Sequence, residues 1–262
     1  MKKQACVFGI LCLIGVQCQL HTSVFADAVG ENLVPQIAIE DFVRSLHPHG
    51  VSMTSASQYK SVRPASQREN VPKLLEMLKN EDDKPFRSNA VVMLGIIAEP
   101  PVVLEILMFI EELEKKPHLD NFDLRALSSA VWALGILINQ AGDMGSAHDE
   151  LEKASQFLIM KSQGKNEKTF DQQQGFLPPG HQPENGISKG DSIRRAAILG
   201  SAFANTEETK RALEKIYRDE PDPRFRKFLE QVMLANQEIE KVGLLCYREP
   251  KSPSCQKKQK GA

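Results

Sequence analysis

The sequence is poor in aromatic residues and carries almost no net charge. Only 6 % of its 262 residues are Phe, Trp or Tyr, a content that is low for a β-sandwich or β-barrel. The formal net charge is −1, so electrostatics gives no reason to expect nucleic acid or an anionic membrane as a partner. The abundant residues are instead Leu, Ala, Ile, Glu and Lys, which favour helices.

The short motifs of the common enzyme classes are also absent. The chain contains no GxSxG, no P-loop, no GxGxxG and no HExxH. Two Ser-x-x-Lys matches, at residues 57–60 and 162–165, lack the companion motifs of penicillin-binding enzymes. His47 and His49 could offer two imidazoles to a metal, but no acidic or cysteine cluster accompanies them. The sequence therefore predicts no catalytic residue, no metal site and no cofactor.

The N-terminus has the three parts of a secretory signal peptide. Two lysines follow the first methionine, residues 5–16 form a continuous apolar run, and a polar stretch leads to Ala26. The small residues there suit a signal peptidase, which predicts a disordered signal region over residues 1–26, with Ala28 as the alternative cleavage position. Twelve apolar residues span about 18 Å of helix, too little for a bilayer core of about 30 Å. We therefore expect an exported protein, periplasmic or secreted, without a stable membrane span.

Export would remove three of the five cysteines and leave Cys246 and Cys255. In an oxidising compartment these two predict a disulfide, which for so short a loop contributes roughly 2.5–3 kcal/mol. Two free thiols in a frayed tail are the alternative. No third ligand-type residue lies beside them, so the pair is expected to be a structural link rather than a metal site. Lipidation of Cys18 is an alternative to simple export, although Gln17 is a poor residue before a lipidated cysteine.

Hydrophobic spacing predicts a series of amphipathic helices from residue 70 onward. Residues 27–69 are expected to hold one N-terminal helix and a linker, and residues 243–262 a C-terminal tail. A polar stretch at residues 161–190 is predicted to be a long inserted loop, either a flexible excursion or a binding loop. Helix starts are predicted at Asp82 or Asp83 ahead of Pro85, at Asp191 or Ser192, at an Asn205 capping box, and at Asp222-Pro223.

Two six-residue blocks repeat at an interval of 40 residues. AVVMLG at residues 90–95 matches AVWALG at residues 130–135, and a third Leu-Gly pair stands at residues 199–200. With Arg87 ahead of it, the first block resembles the first helix of a HEAT repeat, in which a hydrophobic–Arg pair precedes an alanine and a Leu-Gly pair. The second block departs from this pattern at Leu127, and the alanines of the third are shifted by one residue.

The resemblance to HEAT repeats covers residues 70–242 and implies the fold. It implies an all-α, short α-solenoid of about eight helices in stacked antiparallel pairs, because each pair has an apolar face that it cannot bury alone. An ordinary helical bundle whose small residues match by chance is the alternative.

Two families with similar repeats fit this sequence less well. The iron-dependent deoxyhypusine hydroxylases bind their metal through His-Glu pairs. None of the histidines that would remain after export precedes a glutamate: they are His47, His49, His118, His148 and His181. The phycobiliprotein lyases act on cytoplasmic antenna proteins, whereas a signal peptide predicts export.

These observations together favour an exported protein-binding scaffold or adaptor without catalysis. Its partner would be a protein or peptide, held on a concave surface by the second helix of each pair, at residues 102–116, 149–160 and 207–218. The sequence does not indicate which residues bind. Two alternatives remain open: an enzyme of unrecognised type that uses the loop at residues 161–190, and a cell-envelope structural protein without a discrete ligand.

Overall fold

The computed structural model describes residues 38–46, 66–117, 119–141, 148–164, 189–250 and 255. Within these ranges the chain is all-helical and carries no strand, as the composition predicted. Ten α-helices pack against one another there, where about eight were expected, and eight of the ten lie in residues 70–242. They are α1 Ile39–Ser45, α2 Val71–Lys79, α3 Arg87–Ile97, α4 Val102–Lys115, α5 Asn121–Ala141, α6 His148–Ser162, α7 Lys189–Ala204, α8 Glu207–Asp219, α9 Pro223–Val242 and α10 Leu244–Arg248. Two 3₁₀ helices, Arg68–Asn70 and Glu81–Phe86, flank α2.

The start of α9 agrees with its prediction, whereas that of α8 does not. The Asp222 carboxylate accepts a hydrogen bond from the Arg224 backbone N–H at 2.8 Å, and so caps the first turn of α9. In α8 the cap is Thr206, whose hydroxyl accepts from the Thr209 N–H at 3.3 Å in a capping box. The predicted cap, Asn205, instead adopts a left-handed φ of 53°, which turns the chain between α7 and α8.

Two further helix starts lie earlier than predicted. Asn80, rather than Asp82 or Asp83, caps the 3₁₀ helix, because its side-chain oxygen accepts from the Asp82 N–H at 3.1 Å. Asp83 is buried and forms an ion pair with Arg44, which is distant in sequence. Helix α7 begins at Lys189, so the predicted cap residues 191–192 lie inside its first turn. A local pattern places a helix end only to within a residue or two.

The helices that carry the repeated Leu-Gly pairs lie side by side. Helix α5 makes extensive contacts with both α3 and α7, and α9 also packs against α7. We call α3, α5, α7 and α9 the first series. The second series is α2, α4, α6 and α8, in which each helix contacts the next. Every second-series helix also contacts the first-series helix that follows it in the chain.

The repeated glycines are the points of closest approach between first-series helices. A Cβ atom on Gly135 would lie 2.0 Å from the carbonyl oxygen of Gly200, and one on Gly95 would lie 2.9 Å from the Cβ of Ala133. Only a residue without a side chain allows the α5 and α7 backbones to come this close. The repeat in the sequence therefore corresponds to a packing requirement between neighbouring helices.

The apolar core forms two clusters. The larger cluster draws on the helices from α1 to α7, together with Ile239 of α9 and Leu244 of α10, and Leu127, Val131 and Leu134 of α5 are fully buried in it. The smaller cluster joins Ile198 of α7 to Leu213 of α8 and to the first half of α9. Because α7 and α9 each belong to both clusters, they connect the two parts of the core.

Helix α5 is the one described helix that is long and apolar enough to cross a bilayer. Of the most apolar stretch of this helix, 67 % is buried inside the protein. The core helix of a folded protein meets the same criteria of length and composition, so the burial of α5 accounts for its hydropathy.

Cys246 and Cys255 stand at disulfide distance, as expected from the sequence. Their Cα atoms are 5.3 Å apart, and Cys255 is fully buried. Helix α10 lies in the predicted tail but is part of the packed structure, because Leu244 and Arg248 are buried. The Arg248 guanidinium lies 4.3 Å from the centre of the Phe203 ring of α7, a cation–π contact that joins α10 to the first series.

Removal of the disulfide is expected to lower the free energy of unfolding by about 2.5 kcal/mol, since the bond restricts the unfolded chain. Urea denaturation of the double variant C246S/C255S measures the effect. The reduced wild-type protein is the control, and its midpoint should match that of the variant. A variant as stable as the oxidised protein would contradict a structural role for this bond.

Candidate protein-interaction surface

Helix α4 has large apolar side chains on its outer face as well as on its inner face. Ile106 and Ile110 are fully buried, as the amphipathic spacing requires. Leu104 and Met108 are 41 % and 55 % exposed, and they lie four residues apart on one side of the helix. Single exposed apolar residues are common on protein surfaces, whereas adjoining ones are more typical of an interaction site.

A shallow groove separates α4 from α2. The cavity within it measures only about 20 Å³. Pockets that enclose drug-sized ligands measure roughly 300–1,000 Å³, so this groove is a depression of the surface rather than a ligand pocket. It is lined by Leu75, Leu78, Lys79, Glu105, Met108, Phe109 and Glu112.

The rim of the groove is charged. The Lys79 ammonium of α2 lies 3.6 Å from the Glu105 carboxylate of α4, and the side chains are 68 % and 37 % exposed. Glu111 pairs with Lys115 at 3.6 Å along α4. Such exposed pairs are worth less than about 1 kcal/mol each, so a partner can replace them at little cost. Glu112 forms no ion pair with any residue that the structure describes.

Helix α6 extends this surface beyond α4. An ion pair between Lys161 and Glu114 joins the two helices, and the Lys161 ammonium also lies 5.3 Å from the centre of the Phe157 ring. Met160, beside Lys161, is 36 % exposed. We use the name α4 surface for the outer faces of α2, α4 and α6 around Met108.

Two of the three helices expected from the sequence to line a binding surface carry exposed apolar side chains. Residues 102–116 and 149–160 both contain exposed methionines. In the third, residues 207–218, α8 exposes only charged and polar side chains. Helix α2 was predicted as a helix but not as part of a surface, and its Leu75 lines the groove while it packs partly against the core.

A buried ionic cluster fixes the ends of the helices behind this surface. Asp123, at the start of α5, is 2 % exposed and lies 3.1 Å from the Lys84 ammonium, 3.2 Å from that of Lys116 and 3.8 Å from the Arg87 guanidinium. A hydrogen bond to Asp120 raises the pKa of Lys84 above its ordinary value. Because Lys116 directly follows α4, the cluster holds the end of α4 against the start of α5.

The ionic contact recurs at the interval of the repeat. Asp83 and Asp123 are both 2 % exposed, and 40 residues separate them, as they separate Gly95 from Gly135. The Asp83 carboxylate accepts a hydrogen bond from the Arg44 Nε at 2.7 Å, and Asp123 pairs with Lys84. Each buried aspartate therefore pairs with a basic side chain from an earlier segment of the chain. These carboxylates are paired and buried, which indicates a structural role.

The structure adds no candidate for chemistry in the part of the chain that it describes. There, no three His, Cys, Asp or Glu side chains come together in a way that could hold a metal ion. The side chains of all the histidines considered above lie outside the described residues, as do the signal peptide at residues 1–26 and most of the loop at residues 161–190.

No protein-family model, no curated protein and no solved structure matches this chain. Any function must therefore be argued from the contacts of the chain itself.

Proposed function

We propose that this chain is an exported scaffold that binds a protein or peptide partner on its α4 surface and performs no catalysis. The observation that carries the proposal is the exposed pair Leu104 and Met108 on α4, of which Met108 also lines the groove between α2 and α4. Since each side chain is already about half buried, covering it with a partner gives roughly 1 kcal/mol, about half the value for full burial.

The proposal also includes the arrangement of the helices, which is a HEAT-like solenoid. Support comes from the two series of contacts, in which α4 lies between α2 and α6, and from the glycine contacts that recur along the first series. In a stack of this kind each helix pair covers its neighbours, and the outer helices remain available as an extended binding surface.

Export is the second part of the proposal. It rests on the N-terminal sequence and on the cysteine pair, since disulfides persist in oxidising compartments such as the periplasm or the extracellular space. The buried position of Cys255 suits a bond that stays formed throughout the life of the protein.

The double variant L104E/M108E is expected to lose the partner while keeping its fold, because both side chains already face solvent. Affinity capture from the exported fraction should recover proteins with the wild type and at least about tenfold less with the variant, the loss expected for removal of an anchor residue. The control is L234E, which makes the same change at a side chain of α9 that is 59 % exposed. Equal recovery by all three proteins, or recovery of nothing above background, would count against the scaffold function.

A further inference from the structure

We infer that Arg195 of α7 binds an oxyanion, a carboxylate or a phosphate group, at a site that is separate from the α4 surface. The Cζ atom of its guanidinium lies 4.9 Å from the centre of the Phe225 ring and 4.8 Å from that of Phe228, both on α9. These contacts fix the cation near the start of α9. The inference goes beyond the proposed function and does not depend on it.

The neighbouring arginine shows how a cation at this place is neutralised within the fold. The Arg194 Cζ lies 4.3 Å from the centre of the same Phe225 ring. Its Nη2 donates to the Glu220 carboxylate at 2.8 Å, and its Nε donates to the Ser162 carbonyl oxygen at 3.2 Å. Glu220 is only 6 % exposed, so Arg194 has a buried counter-charge and serves the structure.

Arg195 has no counter-charge in the part of the chain that the structure describes. No carboxylate there lies within ion-pair distance of it, and its Nε is buried without a hydrogen-bond acceptor. The two Nη nitrogens are not buried in this way, and the residue is partly exposed, so the Nη atoms reach the solvent. Phenylalanine rings attract a cation but carry no net charge. The positive charge of Arg195 therefore remains uncompensated.

The other contacts around Glu220 add to this excess of positive charge. Arg226 of α9 donates from its Nε to the Glu220 carbonyl oxygen at 3.2 Å, while the Glu220 carboxylate pairs with Arg194. Asp222, the next acidic residue along the chain, is exposed and caps the first turn of α9. One buried carboxylate thus stands against three arginines, Arg195 among them. A ligand with negative charge would balance this group.

The geometry of a guanidinium restricts the chemistry of that ligand. Its N–H groups lie in one plane and match the oxygens of a carboxylate or a phosphate in paired hydrogen bonds. Contact with two rings already restricts the Arg195 side chain, so less conformational freedom is lost when a ligand binds. A neutral hydroxyl or amide would leave the charge unbalanced. The site therefore suits an oxyanion.

The test measures thermal unfolding of the mature protein in sodium phosphate and in sodium acetate, with sodium chloride at equal ionic strength as the reference. An anion that binds only the folded state raises the unfolding midpoint, by roughly 3–6 °C at about ten times its dissociation constant. A rise in phosphate alone assigns the site to a phosphate group, and a rise in acetate assigns it to a carboxylate. Phosphate also stabilises proteins by exclusion from their surface, so each rise is compared with that of a variant.

Three variants locate the binding. R195Q is expected to lose the rise, because it removes both the charge and the paired donors. R211Q removes the same charge from an exposed position on α8 and should keep the rise. R195K retains a cation but not the planar pair of donors, so it should weaken the anion by about tenfold. Circular dichroism of each variant checks that the helices are retained.

A second measurement uses the wild-type protein and does not depend on how stable R195Q is. The Nε–H resonance of Arg195, assigned by its absence from the spectrum of R195K, should shift and saturate as the anion is added. A resonance that does not move in either anion would overturn the inference. The same conclusion would follow if the midpoint rose equally in the wild type and R195Q.

Discussion

Replacement of Gly135 with alanine is expected to lower the free energy of unfolding by about 3 kcal/mol. A Cβ at this position would lie 2.0 Å from the carbonyl oxygen of Gly200 and 2.7 Å from its Cα. Both are backbone atoms of α7, so no side-chain rotation relieves the clash and the two helices must separate. Glycine-to-alanine replacement inside a helix otherwise stabilises it by about 1 kcal/mol, so the sign of the result reports packing rather than helix propensity.

The other two glycines of the repeat provide graded controls for G135A. A Cβ on Gly200 would lie 3.0 Å from a methyl carbon of Leu158, a side chain that can move aside. The nearest backbone atom of α5 would be 3.1 Å away. Gly95 is intermediate, because its Cβ would meet Ala133 at 2.9 Å. Thermal and urea denaturation should therefore rank G135A as the most damaging of the three. Should G135A prove as stable as the wild type, the close contact between α5 and α7 would be wrong.

The Leu-Gly repeat predicted three of the four first-series helices, α3, α5 and α7, because their close approach requires glycine. Helix α9 also packs against α7 but contains no glycine, so the repeat does not indicate that contact. Which glycine meets which neighbour could not be read, since it depends on the register between helices that are distant in sequence. The pairing of Gly135 with Gly200 spans the whole predicted insertion at residues 161–190.

The acidic residues show where local interpretation failed. The sequence predicts Asp82 or Asp83 as a helix cap, but the Asp83 carboxylate accepts a hydrogen bond from Arg44, 39 residues earlier in the chain. A capping pattern and a long-range ion pair use the same residue type, and only the fold decides between them. The sequence did not place α2 on the α4 surface for a related reason, because the partial burial of Leu75 depends on how α4 packs against α2.

Replacement of Asp123 with alanine is expected to cost about 3 kcal/mol or more of stability. The carboxylate is 2 % exposed and faces three cations, of which Arg87 is itself buried. Removing it leaves Arg87 with Glu81 and Lys84 with Asp120 as their remaining carboxylate partners, so three clustered cations lose the one buried carboxylate that they share. Urea denaturation of D123A against the wild type measures this loss directly.

The matched control for D123A is E81A. Glu81 also pairs with Arg87, at 2.8 Å, but its side chain is 71 % exposed, so its removal should cost less than about 1 kcal/mol. If the two variants lost similar amounts of unfolding free energy, burial would not determine how much each carboxylate stabilises the fold. Since Lys116 joins the cluster to the end of α4, D123A should also lower the recovery of partners in affinity capture, whereas E81A should not. The buried aspartate would then stabilise the fold and, through Lys116, hold the end of α4 in position.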